Sequence, residues 1–209
     1  MRKFLLLTIM CIFGLFGIIR AQQTIIVGED GTTQLTNLPI QVSFNYSISQ
    51  QIYTKTEMNN TLGNITAISF QQTNNQIYTR DLSIYMKNTD KEVFEGNSDL
   101  VSMTNADLVY KGEITTPGTN QWMDIELQNV FAYEGSNILL CVVDNTGSWE
   151  RDDLSFCGYE TESQKRALNA RQDDLPYNIS DLSQVKGTNL NRLNKVQFTM
   201  TSEPGLVMY

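Results

Sequence analysis

The apolar run at residues 138–143, I-L-L-C-V-V, limits the fold more than any other stretch of this chain. Six residues are too few for an ordinary helix. Gly135 and Asn137 precede the run, and Asp144, Asn145 and Gly147 follow it. A short apolar run between turn signals predicts a strand buried on both faces. Each large side chain in it contributes about 1.5–3 kcal/mol when fully buried. The rest of the chain is therefore expected to pack on both sides of it.

Other segments alternate instead. Val42, Phe44, Tyr46, Ile48 and Ile52 share one face of an extended segment, while Ser43, Asn45, Ser47, Ser49 and Gln51 share the other. That period predicts a strand with one buried and one solvated side. Shorter strands are expected at 24–27, 65–70, 82–86, 108–114, 122–127, 154–159, 165–170 and 196–200. A turn is expected at 29–31, with Gly31 supplying a positive φ. Only 55–60 suits a helical turn. The polar segment 87–107 is expected to wrap an end of the fold, and 172–194 is a long excursion of the kind that compact domains keep for function or mobility. About nine or ten short strands without an amphipathic helix predict an all-β, two-layer antiparallel sandwich. Several connections are too long for hairpins, which favours a jelly-roll-like order; a closed barrel is the alternative.

The N-terminus supplies an address. Met1-Arg2-Lys3 precedes an apolar stretch at 4–19, followed by Arg20-Ala21 and a polar run. A basic start, a short apolar centre and a small residue before polar sequence mark a secretory signal peptide, here 1–21. An uncleaved anchor is the alternative, although 16 residues fall short of the roughly 20 that a bilayer needs. The expected layout is a signal peptide at 1–21, one sandwich domain at 22–200 and a tail at 201–209, in a protein that is secreted or held at the cell surface. Its membrane contact is confined to the signal peptide during export. Of 15 basic residues, three lie in the leader, which leaves 12 against 23 acidic residues, a net charge of −11. Such a chain repels phosphate backbones, so nucleic acid is not an expected partner. Export permits a disulfide between Cys141 and Cys157; two small buried thiols are the alternative.

Four stretches taken together, 45–54 (N-Y-S-I-S-Q-Q-I-Y-T), 65–70 (I-T-A-I-S-F), 80–86 (R-D-L-S-I-Y-M) and 130–148, resemble β-sandwich modules of secreted and surface proteins of Bacteroidetes. These include multidomain adhesins and modules near the haemagglutinin-adhesin regions of gingipains. The resemblance implies a jelly-roll-like sandwich with an adhesive or carbohydrate-facing role. This chain departs from that setting in having a single module, with neither a catalytic domain nor an obvious sorting domain beside it.

The sequence contains no histidine. Ser-His-Asp and Cys-His nucleophiles are thereby excluded in their usual form, as are histidine-based zinc and copper sites. The carboxylate pairs Asp124 with Glu126 and Asp152 with Asp153 leave a glycosidase as a remote alternative, but they suit solvated positions, and a non-enzymatic protein is expected. The informative polar segment is 144–153, D-N-T-G-S-W-E-R-D-D, because a buried strand positions it. Trp149 there suits stacking on a sugar ring, with Arg151, Asp152 and Asn145 bonding hydroxyls. The alternative is a tryptophan packed over the sandwich edge. Trp122, on a strand face with Asp124 and Glu126, is a second candidate for ligand contact. Asp144, Asp152 and Asp153 are candidate Ca²⁺ ligands, since that ion takes 6–8 oxygens. The expected function is an exported binding or adhesion module whose partner is a glycan or a cell-surface protein. A structural subunit of a secreted or surface assembly is the alternative.

Overall fold

The computed structural model describes residues 22–201. The predicted signal peptide and the chain beyond 201 lie outside the described residues. Thirteen strands run in chain order: β1 (Gln22–Val27), β2 (Thr33–Leu35), β3 (Tyr46–Tyr53), β4 (Gly63–Gln71), β5 (Thr79–Thr89), β6 (Leu108–Thr115), β7 (Trp122–Tyr133), β8 (Asn137–Asp144), β9 (Phe156–Glu160), β10 (Ala167–Gln172), β11 (Thr188–Leu190), β12 (Arg192–Asn194) and β13 (Val196–Thr201). The surplus over the expected nine or ten comes from β2, β11 and β12, each three residues long and too short to display a period.

All pairings are antiparallel. One sheet has the order β1-β13-β4-β7, and the second has β11-β10-β3-β8-β5-β6. If the eight strands other than β2 and β9–β12 are counted in chain order, the two layers read 1-8-3-6 and 2-7-4-5. That is the jelly-roll order. The strands β10 and β11 widen the second sheet beyond β3, and a small third sheet, β12-β9-β2, adjoins the first through a backbone bridge between Gln72 and Phe156.

The predicted central strand is β8, held between β3 and β5. Successive side chains of a strand point to opposite faces. Ile138, Leu140 and Val142 belong to the core between the sheets. Leu139, Cys141 and Val143 point the other way and are equally buried, in a second cluster. The lid over that second cluster carries Phe94, Leu100, Met103 and Leu182, with Tyr177, Ile179 and Val185 packed around them. The polar segments 87–107 and 172–194 therefore cover a sheet face rather than an end. Backbone bonds sew them together, Met103 N–H donating to Ile179 at 2.9 Å and Gly187 N–H to Asn97 at 2.7 Å, while Phe94 N–H ties the first segment to the Lys165 carbonyl just before β10 at 2.7 Å.

The expectation for residues 42–52 is corrected on its polar face. The strand begins only at Tyr46, and both of its faces are buried. Ile48 and Ile52 lie under the lid, and the serine and glutamine row is also shut off from water. Buried polar groups are tolerated when bonded. Ser49 Oγ donates to the Pro39 carbonyl at 2.6 Å. Gln51 Nε2 donates to Asn194 Oδ1 at 2.9 Å, and Gln51 Oε1 accepts from Asn194 N–H at 2.8 Å. The turn after β1 differs in one detail. Gly28, not Gly31, has the positive φ, +74°, and a Cβ there would sit 2.2 Å from the Tyr159 ring.

Candidate functional site

At the C-terminal end of β8 the chain leaves the core through Asp144 and runs across one end of the sandwich. Asp144 is fully buried. Its Oδ2 accepts from Arg80 Nε at 2.9 Å and lies 2.8 Å from Arg80 Nη2. Its Oδ1 accepts from the Thr146 N–H at 3.0 Å and the Thr146 hydroxyl at 2.6 Å. Arg80 Nη1 also lies 3.6 Å from Glu150 Oε1. A charge taken out of water is tolerated when it is paired and hydrogen-bonded, and here the pair fixes the root of the loop.

The rest of the loop is tied to its neighbours. Asn145 N–H donates to the Asp81 carbonyl at 2.9 Å, Gly147 N–H to Asn45 at 3.0 Å, and Glu150 N–H to Val42 at 2.7 Å. Asn74 Nδ2 donates to the Asp153 carbonyl at 2.7 Å, and Thr73 N–H to Ser155 at 2.7 Å. Between these ties Trp149 is 62% exposed. An indole so exposed on a pinned backbone is presented to solvent without a large conformational entropy left to lose. Ile77, in the adjoining connection between β4 and β5, is also 62% exposed.

The candidate residues separate on this frame. Arg151, Asp152 and Asp153 are exposed on the same loop as Trp149, and Asn145 is half-buried at its root. Asp144 faces inward and is occupied by Arg80 and Thr146, so it is not free to join Asp152 and Asp153 around a cation. Among the described residues, no three His, Cys, Asp or Glu side chains gather closely enough to hold a metal ion. Trp122 opens β7 in the other sheet, with Lys195 Nζ 5.8 Å from its ring centroid. Asp124 and Glu126 follow it and line a polar cleft of about 440 Å³ with Ser69, Gln197 and Thr199.

Cys141 and Cys157 are free, buried thiols. Cys141 lies under the lid of the six-stranded sheet. Cys157 belongs to β9 of the third sheet, where its Sγ contacts the Gly31 carbonyl at 3.0 Å. Adjacency in sequence order did not make β8 and β9 neighbours, so the bridge is replaced by two separate thiols.

Sequence reasoning missed Arg80, because a buried arginine at the head of a strand looks like an ordinary exposed one. It also missed the Arg171 guanidinium stacked 4.8 Å from the Phe44 ring centroid, a contact across 127 residues that no local pattern encodes. Among the described residues, no helix is long and apolar enough to cross a membrane.

No protein-family model matches the chain, and no curated protein matches it. Among solved structures, it is similar to a clostridial cysteine protease, Cwp84, after propeptide cleavage, with 8% identity and a TM-score of 0.46, covering 87% of this chain and 40% of that one. It is also similar to a structure of the cysteine protease and lectin-like domains of Cwp84, a surface layer associated protein of Clostridium difficile, with 8% identity and a TM-score of 0.38, covering 76% of this chain and 33% of that one. The chain thus spans less than half the length of either structure, and likenesses this distant carry no argument about its activity.

Proposed function

We propose that this protein is an exported, non-catalytic binding module that engages a glycan at a cell surface through the loops at the Trp149 end of the sandwich. The observation that carries this reading is the exposure of Trp149 on a backbone tied down on both sides, with Arg151 and Asp152 beside it. An aromatic face flanked by a few polar groups is the usual composition of a saccharide contact. Its low cost of ordering favours affinity. The sequence has no histidine to serve as the base of a usual Ser-His or Cys-His pair. The resemblance to Bacteroidetes surface modules supports the same reading.

A glycan array probed with the wild type and with Trp149→Ala tests it. The wild type is expected to bind a defined subset of glycans and the variant to lose that binding. Because Trp149 is so exposed, the variant should melt within a few degrees of the wild type. A wild type that binds no glycan, or a variant that binds as well as the wild type, overturns the reading.

A further inference from the structure

The segment 42–45 lies between two parts of the fold. On one side it accepts the backbone bonds from Gly147 and Glu150 of the Trp149 loop. On the other, Asn45 N–H donates to Asp173 Oδ1 at 2.9 Å, and Phe44 carries the Arg171 guanidinium. Beside Phe44 a cleft of about 320 Å³ opens where β10 meets the start of β11, and Asn169, Arg171, Lys186 and Thr188 line it.

Three features of this cleft point to one ligand chemistry. First, its two charged lining residues are both cationic, on a chain of net charge −8. Arg171 and Lys186 are exposed and form no ion pair among the described residues. Second, Arg171 is held in place. Its guanidinium lies over Phe44, 4.8 Å from the ring centroid, and Nη1 donates weakly to Gln41 Oε1 at 3.4 Å, while its other N–H groups face no protein acceptor among the described residues. A planar fork with free donors matches a carboxylate. Third, Asn169 is 1% exposed, and neither its Nδ2 nor its Oδ1 has a partner. Buried amides are nearly always bonded; both of these atoms are closed off from water, so a ligand hydroxyl completes this amide only by displacing the cleft wall beside it.

We propose that this cleft binds an acidic sugar residue, with the carboxylate on Arg171 and Lys186 and a ring hydroxyl on the Asn169 amide. The inference rests on the glycan-binding reading and adds the class of sugar. The cleft and the Trp149 loop both join the 42–45 strap, and the proposed ligand is an oligosaccharide long enough to reach both.

The test is titration calorimetry at low salt with three carboxylate-bearing probes, namely trigalacturonate, sialyllactose and a hyaluronan hexasaccharide. Their methyl esters serve as neutral counterparts. The expected result is binding of at least one acid form, with a Kd that rises with salt. Its methyl ester should bind about tenfold more weakly or worse. Arg171→Gln and Lys186→Gln should each weaken the acid form by a similar factor without shifting the melting temperature. Arg171→Lys, which keeps the charge and loses the fork, should recover only part of the affinity. Trp149→Ala should weaken acid and ester alike. Binding of acid and ester with equal affinity, indifference to Arg171→Gln and Lys186→Gln, or no binding of any acid probe overturns the inference. In that event a neutral glycan whose binding depends on Trp149 still leaves the broader reading standing, whereas acid binding that ignores Trp149 removes that reading and keeps the cleft.

Discussion

Arg80 Nη2 lies 2.8 Å from Asp144 Oδ2, and neither side chain is accessible to solvent. The pair joins the start of β5 to the end of β8, at the point where the Trp149 loop departs. Removing one partner leaves the other charge buried and unpaired, which costs about 3–5 kcal/mol. Asp144→Asn is therefore expected to lower the thermal midpoint sharply and to open the 145–155 loop to limited proteolysis. Arg80→Met with Asp144→Leu, which removes both charges, should recover much of the stability. A single variant as stable as the wild type would show that the pair does not anchor the loop.

Leu139 and Leu140 are adjacent on β8 and point to opposite faces, and both are buried. If the lid makes a true second core, Leu139→Ala and Leu140→Ala should each cost about 2–5 kcal/mol in denaturant unfolding. A cost for Leu139→Ala below about 0.5 kcal/mol, as for an exposed site, would mean that the segments over that face are not packed in solution.

Glu57 gives the fold a dependence on acid. Burial by itself raises its carboxyl, but the Arg166 guanidinium, with the Thr54 backbone and the Tyr159 hydroxyl, outweighs this and holds it below the ordinary glutamate range. The contacts are short: Arg166 Nη1 donates to Oε2 at 2.6 Å, Arg166 Nη2 to Oε1 at 2.8 Å, and the Tyr159 hydroxyl to Oε1 at 2.8 Å. A carboxyl lowered in the folded state stabilises above its unfolded value, about 4.3, and that contribution is lost as pH falls through the folded value. Glu57→Gln should therefore be less stable than the wild type at neutral pH, and the gap should close below about pH 4. Urea midpoints measured from neutral to acid pH check this. A constant gap would remove Glu57 as the acid-sensitive group.

Burial pushes the Cys141 thiol up to about 12, against a lowering bond from Gln50. The thiolate is the reactive form, so Cys141 should resist alkylation at pH 8 in the native protein and react once the fold is opened. Under denaturing conditions without reductant, Cys141 and Cys157 should both be labelled. A non-reducing digest that yields a peptide joining Cys141 to Cys157 would contradict the two-thiol arrangement.

The local patterns carried a good deal of this. The run at 138–143 specified a strand with no wet face, because a strand exposes one side unless something covers it, and six apolar residues leave neither side for water. Alternation in β5, β6 and β7 marked the strands of the two layers, and the length of the connections pointed to the jelly-roll order. A polar turn leaving a buried strand marked 144–153 as a surface loop, but that pattern leaves open whether Trp149 stands free or packs over the sandwich edge, and its exposure is read only from the structure.

Only the tertiary structure decided what covers the second face of β8, and that Ser47, Ser49 and Gln51 are dry. Their burial depends on partners outside the strand, Pro39 for Ser49 and, 143 residues away, Asn194 for Gln51, and such hydrogen bonds leave no trace in a period of two. The same holds for Asp144, whose inward turn is set by Arg80, 64 residues away, and for the cleft that gathers Phe44, Asn169, Arg171 and Lys186. A sequence determines which faces must leave water; which distant groups meet there is settled by the order in which the strands pair.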